Sequence, residues 1–324
     1  MVGFDIGGTK CAVCIGKEVD GKLQILEKKS VPTNQKISPY EMLEQLCILA
    51  ESMTDDMEVI GISCGGPLNS EQGVILSPPN LSGWDNVKIV EYLENKYHGK
   101  VYLQNDADAC ALAEWKFGAG KGTKNMIFCT FGTGLGAGLI LNGMLYTGCC
   151  DMAGEIGHMR LSEYGPIGYG KAGSFEGFCS GSGIAQLGMS VARELLQQGK
   201  KASFCESLGE LELITAKKVA ECAKAGAEDA KEVYRISGRM LGKGLAILID
   251  ILNPERIVLG SIFARSSELL IEEMYRVLRN ECLSYSLEHC EIVPAKLGES
   301  LGDVAALSVA INGLSGIGKG LKNL

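Results

Sequence analysis

Histidine is scarce in this chain: 324 residues include only three, His98, His158 and His289. The glycine-rich stretch GEIGHMRLSEYGPIGYGKAGSFEG, at 154–177, holds one of them and no cysteine, although the chain has thirteen. That loop therefore lacks the four nitrogen or sulfur ligands that a structural zinc site takes. Runs of like charge are missing too. No stretch of five basic residues occurs and the formal net charge is −8, so a phosphate-binding surface for nucleic acid is not expected. No apolar run reaches the length of about 18 residues that marks a membrane span. The amino terminus lacks the charged-then-apolar layout of a secretory signal. A soluble, cytoplasmic protein with no membrane partner is the expectation.

The cysteines have no spaced framework, and their number is odd, as befits reduced thiols. Cys11 and Cys14 form a C-x-x-C, but within an apolar segment that reads as a strand. There, i and i+3 point to opposite faces, and both read as core.

What the chain has in quantity is apolar residues, 46%, ample for a core. Its length favours two domains or one large α/β unit. VGFDIGGTKCAVCIG is apolar alternation on either side of a Gly-Gly turn, predicting two tightly joined strands. Ser38 and Pro39 open a helix running to about Met53, with serine as cap and proline at the first helical position. VIGISCGGP and VYLQND read as strands, and the helix ADACALAEWKFG follows Asp106. NMIFCTFGTG runs into GLGAGLILNGMLY, where Asn142-Gly143 between apolar runs signals a hairpin. Helices are predicted near 181–199, 215–225, 227–251 and 266–282, and another from about Gly302. RIVLG and CEIVPA are strands among them. Interleaved strands and helices in both halves make the class α/β.

Two glycine turns follow buried strands: Asp5-Ile6-Gly7-Gly8-Thr9-Lys10 and Gly132-Thr133-Gly134-Leu135-Gly136. Such turns can be plain hairpin glycines. They can also let backbone N–H groups converge on an anion without interference from Cβ, with a threonine hydroxyl as a further donor. The second fits the dinucleotide pattern G-x-G-x-x-A, but a hairpin follows where that pattern needs a helix. Neither turn closes with the Gly-Lys-Ser/Thr of a Walker loop. Asp106 either caps its helix or serves as a general base that takes the proton of a substrate hydroxyl during phosphoryl transfer. Asp5 suits a water-mediated hold on Mg²⁺.

Together DIGGTK, GGP at 65–67, PNLSGW at 79–84, QNDADA at 104–109, FGTGLGAG at 131–138 and GEIGH at 154–158 resemble the ROK family. That family comprises bacterial sugar kinases and sugar-responsive repressors within the actin/hexokinase ATPase superfamily. LGDVAAL near 301 resembles its carboxy-terminal helix, so the likeness covers essentially the whole chain. It implies a ribonuclease H-like fold of two lobes with a cleft between them, about 1–117 plus 300–324 and 118–299. It implies that lobe closure excludes water from the transferred phosphate.

By the same resemblance Gly7, Gly8, Thr9, Gly132, Thr133 and Gly134 line the phosphates of ATP, with Gly260 on the adenosine side. Ser261 replaces the second glycine usual there. Asp106 would deprotonate a primary sugar hydroxyl, while Gly66, Asn80, Asn105, Glu155, His158 and Glu176 would bind the sugar. The implied cofactors are ATP and Mg²⁺, and the implied assembly is a homodimer. The family's repressors carry a helix-turn-helix ahead of this module; with the first turn at Asp5, none is expected here.

In most members three cysteines after the GEIGH-like motif bind zinc with its histidine. Ile167, Tyr169 and Ser174 stand in their places, so no structural zinc is expected. His158 would then face the sugar, with Tyr169 or Ser174 holding its ring; otherwise it is a structural loop residue. The activity implied is phosphorylation of the 6-hydroxyl of a hexose or N-acetylhexosamine. The alternative is a catalytically silent sugar-binding sensor.

Overall fold

The alternation around Gly7-Gly8 does produce two strands, β1 (Val2–Ile6) and β2 (Lys10–Val19), paired antiparallel with Asp5 opposite Ala12. They begin a computed structural model that describes residues 1–316; residues 317–324, the end of the expected small lobe, lie outside the described residues. Next come β3 (Lys22–Pro32), α1 (Pro39–Glu51), β4 (Val59–Cys64), the small hairpin β5 (Leu68–Asn69) and β6 (Val74–Ile75), α2 (Ile89–Tyr97), β7 (Lys100–Asn105) and α3 (Asp106–Phe117). The cap expected for α1 is a full capping box: Ser38 Oγ accepts the Glu41 N–H, and the Glu41 carboxylate accepts that of Ser38 at 2.7 Å.

The first sheet has the order β3–β2–β1–β4–β7, with β1, β4 and β7 parallel. Apolar residues of α1 and α2 cover one face, where Phe4, Ile62, Leu43 and Leu46 are fully buried. Each such side chain contributes roughly 1.5–3 kcal/mol by leaving water. The last helix, α10 (Leu301–Ser315), packs against β1 and β4 as well as α3. Glycine allows that approach, because a Cβ at Gly61 would strike the carbonyl of Ala306. Cys11 and Cys14 are both buried, the first against Thr33 and the second against Gly3 and the Asp303 carbonyl. They are core.

The remaining elements are β8 (Met126–Cys129), β9 (Ala137–Leu141), β10 (Met144–Tyr146), the short pair β11 (Ile167–Gly168) and β12 (Lys171–Ala172), α4 (Phe175–Phe178), α5 (Gly181–Gln197), α6 (Ala216–Lys224), α7 (Glu228–Leu252), β13 (Arg256–Leu259), α8 (Ser261–Glu281), α9 (Ser284–Glu288), β14 (Glu291–Pro294) and α10 (Leu301–Ser315). A second sheet has the order β10–β9–β8–β13–β14. Asn142 and Gly143 turn β9 into β10 with φ of 53° and 75°, as an Asn-Gly hairpin requires. Helix α8 begins at Ser261 rather than near 266. Ser266 has non-helical torsions (φ −144°, ψ 27°), so two helical pieces meet where one boundary was expected.

The chain separates into two compact units. One comprises Met1–Phe128, Gly138–Ala153 and the described residues from Lys296 on; the other comprises Cys129–Ala137 and Gly154–Ala295. The first therefore runs past 117 and takes in the hairpin after the second glycine turn.

Candidate active site

Parallel pairing aligns three strand ends in the first unit. Ile6 lies opposite Cys64, and Cys64 opposite Asn105. The carboxyl ends of β1, β4 and β7 thus deliver Gly7-Gly8-Thr9, Gly65-Gly66 and Asn105-Asp106 to one edge, the edge at which open α/β sheets bind ligands. Gly66 sits against Asn105, since a Cβ there would come within 2.9 Å of Nδ2. Gly8 is pressed on Asn80: an added Cβ would meet the Asn80 Cβ at 2.8 Å and its carbonyl closer still. Leu81 and Trp84 are buried and anchor the PNLSGW loop, which leaves Asn80 exposed. Gly7, Gly8, Gly66, Asn80, Asn105 and Asp106 are thereby brought together. Thr9 follows Gly8 at the surface.

Asn105, not Asp106, is the cap of α3; its side chain accepts the Ala107 N–H at 2.9 Å. Asp106 Oδ1 shares that N–H at 2.7 Å. The Asp106 carboxylate is open to solvent, yet the protein crowded around it raises its pKa above 3.8, against hydrogen bonds from backbone N–H groups that lower it. A carboxylate made more basic while still reachable suits a proton acceptor.

Asp5 lies over the first turn of α10: a Cβ at Gly302 would sit 2.8 Å from its Oδ2. Burial pushes its carboxyl up to about 6, helped by the carboxylates of Asp303 and Asp106 and opposed by Lys28 and Lys10. Asp303 is itself buried and pairs with Lys28 at 2.6 Å. The sequence showed LGDVAAL as a motif, but neither the meeting of Asp303 with Asp5 nor the partnership of Lys28. Both depend on residues far apart in the chain.

The raised Asp5 has a consequence for stability. The folded state holds the proton more tightly than the unfolded chain does, so this group's cost is absent below pH 4, grows between pH 4 and 6, and is complete above 6. Asp5→Asn is expected to raise Tm at pH 8 by a few degrees, roughly what a kcal/mol is worth in a chain of this size. The gain should vanish near pH 4. Calorimetric melting at both pH values checks it, and a variant destabilised at pH 8 would contradict the assigned strain.

In the second unit the other glycine turn is held from several sides. Thr130 Oγ1 accepts the Gly136 N–H at 2.7 Å, and the Gly132 N–H reaches the Gly134 carbonyl at 3.1 Å. Two helices begin there: the Gly181 N–H at the start of α5 donates to the Gly132 carbonyl at 2.7 Å, and Ile262 in α8 donates to Phe131 at 2.8 Å. Gly260 precedes α8 and donates to Cys129 at 2.9 Å. The amino-terminal ends of long helices favour negative charge. This convergence was not legible from the sequence.

The GEIGH segment packs on the same turn. The Ala137 N–H donates to the Gly154 carbonyl at 2.8 Å, and Gly157 lies so close to Leu135 that a Cβ would strike its carbonyl. Ile156 is buried, while Glu155 and His158 are exposed. Glu176 Oε2 accepts the Leu135 N–H at 3.0 Å, tying α4 to the turn. Thr133, Gly134, Glu155, His158 and Glu176 are therefore neighbours within this unit.

Of the two residues expected to hold His158, Tyr169 meets it edge-on with ring centroids 6.3 Å apart. Ser174 does not: it is buried and caps α4 by accepting the Gly177 N–H at 3.0 Å. The loop between is closed by hydrogen bonds. The Gln186 side chain pairs both the N–H and the carbonyl of Ile167, at 2.8 and 2.9 Å, and Gly173 donates to Pro166 at 2.9 Å. Among the described residues, no three His, Cys, Asp or Glu side chains converge as a metal group would need.

These features define a two-lobed protein of the actin/hexokinase-like fold. The chain belongs to the ROK family, whose model matches residues 1–312. It is similar to the glucokinase of Streptomyces coelicolor, 29% identical over 315 residues, which span 95% of this chain and 96% of the relative. A solved ROK family glucokinase from Streptomyces griseus, in complex with glucose and AMPPNP, superposes with a TM-score of 0.74 at 28% identity, covering 96% of this chain and 99% of that one. The xylose repressor of Caldicellulosiruptor bescii is 27% identical over 274 residues, 84% of this chain and 67% of the relative. The relatives thus include both sugar kinases and sugar-responsive regulators. Among the described residues, no helix is long and apolar enough to cross a membrane.

Proposed function

We propose that this protein is a kinase that transfers the γ-phosphoryl group of ATP, with Mg²⁺, to the 6-hydroxyl of a hexose or N-acetylhexosamine. One observation carries the reading. Asp106 is a reachable carboxylate made more basic by its surroundings, at a strand end beside a glycine turn and two asparagines. A sensor of sugar needs the asparagines but gains nothing from the base.

Asp106 would take the proton from the attacking hydroxyl, while Asn80, Asn105, Glu155, His158 and Glu176 orient the sugar through its other hydroxyls. Thr9, Thr133 and the glycine N–H groups would hold the phosphates. The fit to an anion rests on the second turn: Gly132 has open space where a Cβ would be, and two helices start at its edge. Asp5 would hold Mg²⁺ through water, and the ion would supply neutralisation of phosphate charge. Because Asp5 and Asp106 must both be ionised, kcat/KM is expected to fall as pH drops through about 6.

The reading is tested by measuring ADP release with ATP and Mg²⁺ across glucose, mannose, fructose and the N-acetylhexosamines. Turnover dependent on one of these sugars supports it. Sugar binding without turnover would make the protein a sensor instead.

The metal content is a separate prediction. Elemental analysis is expected to find no stoichiometric zinc, and EDTA treatment followed by Mg²⁺ is expected to leave activity intact; about one zinc per chain would overturn this. His158→Ala is expected to raise the sugar KM with little change in the KM for ATP. An unchanged sugar KM would leave His158 a structural loop residue.

A further inference from the structure

Three consecutive carbonyls of the first glycine turn are tied back by one short stretch of chain that has no part in the steps proposed so far. Thr33, Asn34 and Gln35 follow β3, which ends at Pro32 opposite Lys10. The Thr33 hydroxyl donates to the Gly7 carbonyl at 2.5 Å, and the Thr33 N–H donates to the Thr9 carbonyl at 3.0 Å. Between them the Gln35 amide donates to the Gly8 carbonyl at 3.3 Å, and it lies 3.5 Å from the Asn80 carbonyl. The sulfur of the buried Cys11 sits 3.3 Å from the Thr33 hydroxyl oxygen and helps to fix that side chain. The Gly7 N–H closes the turn from within, reaching the Lys10 carbonyl at 3.2 Å.

We propose that Thr33 is a positioning residue for the nucleotide phosphates, acting through the Gly7 carbonyl, a role that rests on the reading of this turn as a phosphate holder. A peptide is planar and trans, so each carbonyl points opposite to the N–H of the following residue. Drawing the Gly7 and Gly8 carbonyls toward Thr33 and Gln35 therefore turns the Gly8 and Thr9 N–H groups to the other side of the turn. Successive N–H groups on one side make a concave anion site, and a carbonyl that swung among them would repel the anion. Glycine makes such a tie necessary. With no Cβ to limit the torsions, the peptides at Gly7 and Gly8 rotate freely unless a partner holds them. The bond from the half-buried Thr33 hydroxyl is the shortest of the three ties, whereas Gln35 is exposed. Its loss should be felt most.

The test measures binding of AMPPNP with Mg²⁺ to the purified full chain by calorimetry, beside thermal melting of each variant. Thr33→Val keeps the shape of the side chain and removes the hydroxyl. The dissociation constant is expected to rise about five- to tenfold, the worth of one hydrogen bond whose acceptor is left unmet. Thr33→Ala should do the same without crowding Cys11, while Thr33→Ser, which keeps the hydroxyl, should bind like the native chain. All three should melt close to the native chain. If the native chain binds AMPPNP and Thr33→Val and Thr33→Ala bind it equally well, the role of Thr33 is overturned and the proposed function stands. An equal loss in Thr33→Ser would overturn the role too, because the hydroxyl is present there. A native chain that fails to bind AMPPNP would overturn the proposed function and this role with it.

Discussion

Asp106→Asn is expected to lower kcat by about 10²–10⁴, the usual worth of a general base. The substitution keeps the shape of the side chain. Its amide oxygen can still accept the Ala107 N–H that Asp106 Oδ1 now accepts at 2.7 Å, so α3 should start where it does. What disappears is a carboxylate whose proton affinity is raised by its surroundings. Asn80 and Asn105, which the proposed function assigns to the sugar hydroxyls, are unaltered, so the dissociation constant for sugar should change only a few-fold. Calorimetric sugar titration beside steady-state kinetics separates the two effects. Turnover close to that of the unaltered protein would remove Asp106 from the chemistry, and loss of sugar binding in step with rate would make it a binding residue.

Gly134→Val should abolish measurable ATP binding while sugar binding persists in weakened form. The physical reason is the packing around the turn and not its backbone torsion. Gly134 is not among the glycines with positive φ, so a side chain there is not refused by backbone torsion. It is opposed by the position of Glu176: a Cβ would sit 2.9 Å from its Oε2, so that carboxylate has to move. That oxygen accepts the Leu135 N–H at 3.0 Å, so pushing it away leaves the turn without its brace. Nucleotide titration and sugar titration of the same variant check the expectation. Sugar affinity lost with ATP affinity kept would place the turn on the wrong ligand. Gly134→Ala, which adds the Cβ alone, should be milder in the same direction.

Legibility followed how local each signal was. The β1–β2 turn, the Ser38 cap of α1 and the Asn142-Gly143 hairpin are each decided within a few residues, and each formed as expected. Strand β3 went unread because it is an edge strand whose residues are mostly exposed or half-buried, so its charged LEKKS run shows no clean alternation. Helix α2 was hidden by its nine residues, two of them buried. The positions of Asp106 and the two glycine turns at strand ends were legible because strand ends and glycines mark themselves. Ser174 was misread because a hydroxyl in a loop looks the same whether it faces a histidine or caps a helix. Its burial is decided by the packing of α4.

The amino-acid sequence alone determined the family, many of the longer strands and helices, the two glycine turns and the absence of cysteines from the loop after His158. These are properties of neighbouring residues, governed by side-chain periodicity and the conformational freedom of glycine. Only the tertiary structure decided that burial, and after it Asp303, raises the proton affinity of Asp5, and that Lys28 opposes this. It alone set two helix starts at Gly132 and Phe131, and it alone gave Glu176 to the turn. Charge and hydrogen bonding act over a few ångströms of space, whatever the separation along the chain, so their balance exists only once folding has brought the partners together.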